Sequence, residues 1–284
     1  MKKSIKSIVY SLPALALIYR NTRDLLTQCH ISRKTPWGFS FAGHKAMANG
    51  HFEPDETKVV RRLLTDVDVL VNAGANVGYY CCHALSMGKP VIAVEPNTRN
   101  LHYLLKNIKK NGWAKLAEVF PIALGSGTDI LQMWGGGTAA SLVKGWASIP
   151  ESYVTQVPIL SLDRLLCDAI RGKKALILVD IEGAEYMMLQ GAKQTLMSEP
   201  RPIWMMEVSS TEHQPAGVEV NPHFSKTFAL FFEHGYKAFT ADETAQEITA
   251  QIVQLVMDNK MNLGTHNFVF SDVRPNVASS NAFA

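Results

Sequence analysis

Short apolar runs alternate along this chain with longer segments whose apolar residues recur every three or four positions. Short apolar runs bounded by polar or turn-forming residues predict β-strands, and a repeat of about 3.6 residues predicts amphipathic helices. Seven runs predict strands: Asp68–Ala73, Pro90–Glu95, Glu118–Leu124, Ala175–Ile181, Ile203–Val208, Tyr236–Thr240 and Asn267–Ser271. Five apolar stripes predict helices, at 59–67, 101–108, 188–196, 224–231 and 248–256.

This alternation predicts an open α/β fold. Strands that alternate with helices form crossover units, which give a parallel sheet covered by helices on both faces. The last run, Asn267–Ser271, follows its neighbour after a helix, so we expect a terminal antiparallel edge strand. Two segments interrupt the rhythm. Residues 30–56 predict a small β elaboration, and residues 125–162 predict two strands around Gly135–Gly137 that form a flap over an active site.

The chain length and charge distribution suggest one large domain with an appended arm. The 284 residues carry a net charge of +3, which excludes a globally basic nucleic-acid binder. Residues 1–34 carry +6 of that charge, whereas the remainder carries −3. We therefore predict a basic arm with the small β elaboration at 1–57, a main domain at 58–272 and a flexible tail at 273–284, and no nucleic-acid partner.

The basic arm contains an apolar run whose role the sequence leaves open. Ile8–Tyr19 has 12 residues and is interrupted by Pro13, so it is shorter than the ~20 residues of a membrane-spanning helix. It could lie on an anionic lipid surface or pack on the main domain. The four cysteines lack any CxxC spacing, and Cys81 and Cys82 read as buried apolar residues. We expect a cytoplasmic protein, with peripheral membrane contact as an open possibility.

A glycine-containing loop after the first predicted strand is the first candidate for ligand binding. Asn72 to Gly78 leads from that strand into a helix, with Asn76 where a dinucleotide-binding loop has its middle glycine. Glu95 ends the second strand, 21 residues after Gly74, where an acid can hydrogen-bond both ribose hydroxyls. Together these features predict a cofactor that contains adenosine.

Three classes of protein could use such a loop. A nicotinamide-dependent oxidoreductase of nucleotide sugars would normally carry a complete GxGxxG and a Tyr-x-x-x-Lys pair, and the sequence contains neither at the expected place. A non-catalytic module could retain the fold and bind a partner. A methyltransferase sheet suits the missing glycine and the expected final strand better, so it is our first choice.

Acidic residues at the ends of later strands are the candidate catalytic groups. Asp180 and Glu182 lie at the end of the fourth strand, and Glu207 lies at the end of the fifth. Because the carboxyl ends of parallel strands meet at one edge of a sheet, we expect these three acids in one cleft. Neighbouring carboxylates raise the pKa of one another, which gives a general base near neutral pH. Asp180 is our first choice for positioning cofactor or acceptor, whereas Glu185 fits a helix start.

A metal-dependent variant of this hypothesis also exists. Asp180, Glu182 and Glu207 offer oxygen ligands, with His213 nearby, so Mg²⁺ or Mn²⁺ could hold a diol. No ligand spacing requires a metal, and we favour a site without one.

Three motifs together resemble the FkbM-type S-adenosylmethionine-dependent methyltransferases. They are Asn72-Ala73-Gly74-Ala75-Asn76-Val77-Gly78, then Glu95-Pro96-Asn97 with Asn100, and Val179-Asp180-Ile181-Glu182-Gly183-Ala184-Glu185, supported by Gly50-His51-Phe52-Glu53 and Ala123-Leu124-Gly125. The resemblance covers residues 36–271. It implies a class I methyltransferase (Rossmann-like) fold, a seven-stranded, mostly parallel α/β sheet with a C-terminal antiparallel strand and an N-terminal helical and β extension.

The resemblance also implies a cofactor, a set of residues and a class of acceptor. The implied cofactor is S-adenosyl-L-methionine, and the implied cofactor-binding residues are Asn72, Gly74, Asn76, Gly78, Glu95, Asn100, Ala123 and Asp180. The family usually has aspartate at position 72, and asparagine lacks the charge that would face the cofactor's ammonium group. The implied acceptors are hydroxyls of sugars, polysaccharide ends, lipid-linked glycans or secondary metabolites. Trp134, Trp146 and Tyr153 could then form an aromatic platform for a sugar.

Overall fold

The computed structural model describes residues 31–276, so the predictions for the arm at 1–30 and the tail end at 277–284 lie outside the described residues. The strands are β1 (Arg33–Lys34), β2 (Ser40–Phe41), β3 (Val69–Ala73), β4 (Val91–Val94), β5 (Ala117–Phe120), β6 (Ala123–Leu124), β7 (Asp129–Trp134), β8 (Val154–Leu160), β9 (Ala175–Val179), β10 (Ile203–Glu207), β11 (Lys237–Thr240), β12 (Glu247–Ile248) and β13 (Asn267–Ser271). The α-helices are α1 (Lys45–Asn49), α2 (Pro54–Thr65), α3 (Tyr79–Ser86), α4 (Thr98–Lys110), α5 (Leu162–Leu166), α6 (Glu185–Gln190), α7 (Lys193–Leu196), α8 (Phe224–Glu233) and α9 (Ala250–Met257).

The central sheet is mostly parallel, as the alternation predicted. Its strand order is β12-β11-β13-β10-β9-β3-β4-β5. Strands β5, β4, β3, β9 and β10 pair in parallel, and β13 is antiparallel to both of its neighbours. The predicted α/β class I sheet with an antiparallel C-terminal strand is therefore confirmed, and the two-residue β12 adds an eighth strand to the expected seven.

The predicted position of the last strand is wrong. Strand β13 is not an edge strand, since it lies between β10 and β11 and pairs with both. Its central residues Phe268, Val269 and Phe270 are fully buried. A strand that is apolar on both faces is typical of a sheet interior, because an edge would expose it to water.

Helices cover the sheet on both faces with two apolar layers. On one face, Val69 and Val71 of β3 contact a cluster that includes Phe228 and Phe231 of α8. On the other face, Leu70 packs with apolar residues of α2, α3 and α4. Adjacent residues of β3 thus serve opposite layers, as the twofold alternation of a strand requires. Cys81 and Cys82 are buried free thiols, in agreement with the sequence interpretation.

Three predicted elements have different bounds for local reasons. The run at 118–124 is divided by Pro121, which lacks an amide donor, so β5 and β6 belong to different sheets. The stripe at 188–196 is divided into α6 and α7 at Gly191, which packs closely on Gly125 at the start of the flap. Ile248 belongs to β12, because Thr249 caps α9 through a hydrogen bond to the amide of Ile252.

Both segments that interrupt the alternation pack onto the main sheet. In the N-terminal elaboration, β1 and β2 form an antiparallel pair. Asn107 of α4 and Asn111, which caps the end of that helix, hydrogen-bond the backbone of Ala42 and Ser40, respectively. In the segment 125–162, hereafter the flap, β7 and β8 pair antiparallel and β6 joins β8. The two predicted flap strands are confirmed. Among residues 31–276, no helix has the length and apolarity needed to cross a membrane.

Candidate functional site

The loop between β3 and α3 brings the backbone of two strand ends into close contact. Gly74 has φ of 81°, and a Cβ atom there would overlap the carbonyl oxygen of Asp180 at the end of β9. Only glycine fits this approach and this left-handed conformation. Asn76 also has a left-handed backbone, with φ of 51°, which asparagine adopts more readily than most residues. The predicted tight turn is therefore present.

Glu95 is buried directly beside this loop, where it holds the turn in place. Its Oε2 accepts the amide of Asn76 at 2.7 Å, and its Oε1 accepts the amide of Asn97 at 2.8 Å and Nδ2 of Asn100 at 3.3 Å. Burial raises the pKa of Glu95 to about 7, against the opposing effect of these three hydrogen bonds. Each carboxylate oxygen has two lone pairs, so Oε2 retains one acceptor position.

A cavity with about 580 Å³ of empty space, including its open mouth, lies beside Glu95; we call it the first cavity. Of the predicted cofactor-binding residues, it is lined by Gly74, Asn76, Glu95, Asn100, Ala123 and Asp180. The flap forms part of its wall through Met133, Gly137 and Leu142. Asn100 ties this wall to the strand ends, because its Nδ2 also donates to the carbonyl of Gly137 at 3.0 Å.

The first cavity fits the nucleoside part of an adenosine cofactor. The close backbone at Gly74 leaves room that a side chain would fill, and Glu95 offers a remaining acceptor position to a ribose hydroxyl. Ile122 and Leu124 supply apolar walls of the kind that a flat base requires. The residues present therefore fit the group that the sequence implies.

A second cavity with about 550 Å³ of empty space lies on the other side of the Gly74 loop. Gly74, Asn76 and Asp180 line both cavities, so the two meet at this point. Acidic and amide side chains line the second cavity: Glu53, Glu56, Asn72, Asp180, Glu207 and Asn267. Phe52, Tyr79 and Tyr80 add aromatic walls. No lysine or arginine lines it among the residues that the structure describes.

Asp180 and Glu207 face this second cavity as an interacting pair of acids. The Asp180 side chain is exposed only to the interior of the cavity, where the surrounding protein limits its contact with water. Burial and the nearby carboxylates, Glu207 first, raise the pKa of Asp180 well above its ordinary value. Burial and neighbouring carboxylates likewise raise the pKa of Glu207 to about 8. Glu207 is therefore suited to accept a proton near neutral pH.

Glu182 and Glu185 do not line the second cavity, although their charges contribute to the raised pKa values of Asp180 and Glu207. Glu182 lines the first cavity, has a left-handed φ of 54°, and accepts Nε1 of Trp146 in the flap at 2.7 Å. Burial raises the pKa of Glu182, and the bond from Trp146 opposes that shift. Glu185 is 5% exposed and accepts the amide of Gly183 at 3.0 Å at the start of α6. Burial also raises the pKa of Glu185 to about 7.

The structure therefore brings together most, but not all, of the predicted site residues. Asp180 lines both cavities, whereas Glu182 lines only the first and Glu207 lines only the second. Asn72 lines the second cavity only. Gly78 lines neither cavity; it starts α3 with a φ of 85° and leaves space for Leu104.

The aromatic platform expected from the flap is not formed by Trp146. Its indole is 4% exposed, and a Cβ atom at Gly183 would contact its ring at 2.6 Å. The Trp146 side chain therefore packs from the flap against Gly183 and offers no open face to a sugar. Its hydrogen bond to Glu182, together with that from the Ser141 hydroxyl to the Glu182 carbonyl at 2.5 Å, fastens the flap to the strand end.

Residues of the N-terminal elaboration and β13 also reach the site, although sequence reasoning did not name them as site residues. Glu53 precedes α2, and its Oε2 accepts the Tyr80 hydroxyl at 2.7 Å. Asn267, the first residue of β13, lines the second cavity. The preceding residue, His266, has its Nε2 3.9 Å from Glu207 Oε1 and its Nδ1 3.4 Å from Glu212 Oε2. The segment Gly50–Glu53 had been noted as a motif, but nothing in the sequence showed that it would fold against the Gly74 loop.

A three-ligand metal cluster of histidine, cysteine, aspartate or glutamate is not formed within the part of the chain that the structure describes. Asp180, Glu182 and Glu207 do not converge on a single point, because the Gly74 loop separates the two cavities. His213 instead packs on the Trp146 ring, with ring centroids 5.9 Å apart.

Comparison with known proteins identifies the domain. The model of the methyltransferase FkbM domain matches residues 72–238. A methyltransferase FkbM from Methylobacillus flagellatus KT is 21% identical, with a TM-score of 0.36 over 57% of this chain. The match spans 42% of that protein's length.

Two further solved structures are similar at lower identity. An O-methyltransferase from Bacillus cereus, solved in complex with SAH, is 12% identical over 75% of this chain and 78% of its own, with a TM-score of 0.42. A precorrin-6y C5,15-methyltransferase from Geobacter metallireducens GS-15 is 13% identical over 70% and 79%, with a TM-score of 0.38. No curated protein matches this chain significantly.

Proposed function

This chain belongs to the FkbM methyltransferase family, and we propose that it transfers a methyl group from S-adenosylmethionine to a hydroxyl of a saccharide or a related metabolite. The observation that carries the proposal is the meeting of two cavities at Gly74 and Asp180. One cavity has the features of a nucleoside site, and the other contains acids with raised pKa values. A donor and an acceptor can therefore occupy adjoining spaces.

The cofactor would be held from the ends of β3 and β4. Glu95 would accept hydrogen bonds from the ribose hydroxyls, and the backbone at Gly74 and Asn76, which lines the same cavity, would help to hold the cofactor. When bound, the cofactor supplies an electrophilic methyl group on a positively charged sulfur. The flap covers the nucleoside and excludes water, and Asn100 links its backbone to Glu95.

On the acceptor side, Glu207 and Asp180 orient the hydroxyl and remove its proton. With the cofactor bound, the acceptor oxygen would form a bond to the methyl carbon as the sulfur–carbon bond breaks, and Glu207 would take the hydroxyl proton. Glu207, whose pKa is raised to about 8, is the group that accepts this proton. Asp180 lies where the two cavities meet and holds the hydroxyl in line with the methyl group, which is the main requirement of a displacement.

A saccharide acceptor is supported by the composition of the second cavity. Phe52 and Tyr80 offer apolar ring surface, and Glu207 and Asn267 offer polar groups. Sugars combine apolar faces with hydroxyl edges, and such a mixture of walls suits them. In this proposal, Phe52 and Tyr80 take the role that the sequence analysis assigns to Trp134, Trp146 and Tyr153.

The test is methyl transfer from isotopically labelled S-adenosylmethionine to a panel of methyl glycosides, oligosaccharides and lipid-linked glycans. We expect label on a hydroxyl of at least one acceptor, and a loss of at least about tenfold in Asp180→Asn. Glu118→Gln, an exposed acid on β5, serves as the matched control and keeps full activity. If the protein binds the cofactor but labels no hydroxyl in the panel, the proposed acceptor class is wrong.

A further inference from the structure

Asn72 places a neutral side chain at the second cavity, where the proposed cofactor would bring a positive charge. Asn72 is 3% exposed at the end of β3, its Nδ2 lies 3.4 Å from Cys81 Sγ, and its Oδ1 forms no hydrogen bond within residues 31–276. The side chain therefore turns a neutral carboxamide toward the second cavity. The amino-acid end of the proposed cofactor carries an ammonium group, which needs a carboxylate partner when it leaves water.

We propose that Glu53 supplies this carboxylate, so that the N-terminal elaboration completes the cofactor site in place of an acid at position 72. The inference rests on the proposed function, because it assumes that the ligand of the two cavities is S-adenosylmethionine. Glu53 and Asn72 line the same cavity together with Gly74 and Ala75 of the loop. The methionine part of the cofactor enters this cavity as it passes Gly74 from the ribose site.

The conformation of Glu53 supports this assignment. Its φ of 40° and ψ of 62° are left-handed, which is unfavourable for a residue with a side chain. Glu53 occupies the N-cap position of α2, yet its side chain forms no capping hydrogen bond. The carboxylate is directed instead to the Tyr80 hydroxyl, at 2.7 Å. Helix capping therefore does not account for the strained backbone, whereas a role in the cavity does.

The hydrogen bonding of Glu53 leaves one carboxylate oxygen available to bind a cation. Burial raises the pKa of Glu53, and the hydrogen bond that Tyr80 donates to Oε2 opposes this shift and fixes the carboxylate in position. Oε1 has no hydrogen-bond partner, and Glu53 forms no ion pair, in the described part of the chain. An ammonium group that reaches Oε1 would form a charge-assisted hydrogen bond with a carboxylate already held in position.

The other acids of the second cavity are less suited to this role. Burial and neighbouring carboxylates raise the pKa of Asp180 well above its ordinary value and that of Glu207 to about 8. Burial also raises the pKa of Glu53, but there the hydrogen bond from Tyr80 opposes the shift. Glu56 lines the cavity from the first turn of α2, but no side-chain hydrogen bond fixes it among the described residues. Glu56 is therefore the natural control for Glu53, being an acid of the same cavity three residues away.

The experiment compares two ligands by calorimetry. S-adenosylhomocysteine carries the ammonium group, whereas 5′-methylthioadenosine retains the adenosine and lacks the amino-acid end. We expect Glu53→Gln to reduce the affinity for S-adenosylhomocysteine at least about tenfold and to change the affinity for methylthioadenosine less than about twofold. Glu56→Gln changes the affinity for either ligand less than threefold. Tyr80→Phe, which releases the carboxylate, causes a smaller loss for S-adenosylhomocysteine alone and tests the inference if Glu53→Gln fails to fold.

The outcomes separate this inference from the proposed function. If the unmodified protein binds neither ligand, the proposed function fails and the inference fails with it. If it binds both ligands, three results would overturn the inference. The affinity for S-adenosylhomocysteine is unchanged in both Glu53→Gln and Tyr80→Phe, or Glu53→Gln lowers the affinities for the two ligands equally. The third result is a loss of affinity in Glu56→Gln alone. In those three cases the nucleoside site still stands.

Discussion

Replacing Glu185 with glutamine should change how the stability of the protein depends on pH. Glu185 is 5% exposed, and its Oε1 accepts the amide of Gly183. A glutamine oxygen can accept the same hydrogen bond, so Glu185→Gln removes the ionisation and retains the contact. Burial is the main reason that the pKa of Glu185 is raised from 4.5 to about 7.

The size of the effect follows from the two pKa values. Between pH 4.5 and pH 7 the folded protein binds more protons at this residue than the unfolded chain does. The stabilisation is therefore complete below pH 4.5 and is lost as the pH rises through 7. A difference between 4.5 and about 7 corresponds to about 3 kcal/mol of unfolding free energy between pH 4 and pH 8.

Urea denaturation followed by circular dichroism at several pH values measures this effect. Glu95 and Glu207 also have raised pKa values and contribute to the slope of the unmodified protein, so the difference between protein and variant is the relevant quantity. As the pH rises from 4 to 8, we expect the unfolding free energy of Glu185→Gln to increase by about 3 kcal/mol relative to that of the unmodified protein. The exposed control Glu118→Gln should show no such change. A pH-independent difference for Glu185→Gln would refute the reasoning.

Three further substitutions test the site. Gly74→Ala should reduce affinity for S-adenosylhomocysteine at least tenfold in calorimetry, because its Cβ would displace the Asp180 carbonyl; retained affinity would contradict the close approach. Trp146→Phe should lower the unfolding free energy measured in urea by about 1.5–3 kcal/mol, because the Glu182 carboxylate loses its hydrogen-bond donor. Hydrogen exchange in the flap should also become faster, and an unchanged exchange rate would argue against this attachment. In the methyl-transfer assay, the rate should rise with pH through about 8 and Glu207→Gln should lose that rise, whereas an unaltered profile would exclude Glu207 as the base.

Much of the fold could be predicted because its signals are local. The buried strands β3, β4, β9 and β10 are short, nearly continuous apolar runs, and the helix at 101–108 has a clear stripe. The order of the sheet was harder, because the place of β13 depends on pairing between segments far apart in the chain. Its apolar character on both faces was the available sign that it would not be an edge strand.

The candidate site was predictable where it depends on the ends of parallel strands. Gly74, Glu95 and Asp180 follow from strand order and loop composition alone, and they meet in the structure. The position of Glu53 was not predictable in this way, since it depends on how the N-terminal elaboration packs on α3. The separation of Glu182 from Glu207 has a similar cause, because the left-handed backbone at Glu182 turns its side chain to the flap.

The most direct test of the central claim is the titration of the purified protein with S-adenosylmethionine, S-adenosylhomocysteine and NAD by calorimetry. We expect both methyl-cycle ligands to bind, NAD to show no binding, and Glu95→Ala to abolish binding, because Glu95 holds the Asn76 turn and is the residue that we propose to accept the ribose hydroxyls. Binding of NAD without either methyl-cycle ligand, or methyl-cycle ligand affinity that is unchanged in Glu95→Ala, would contradict the account.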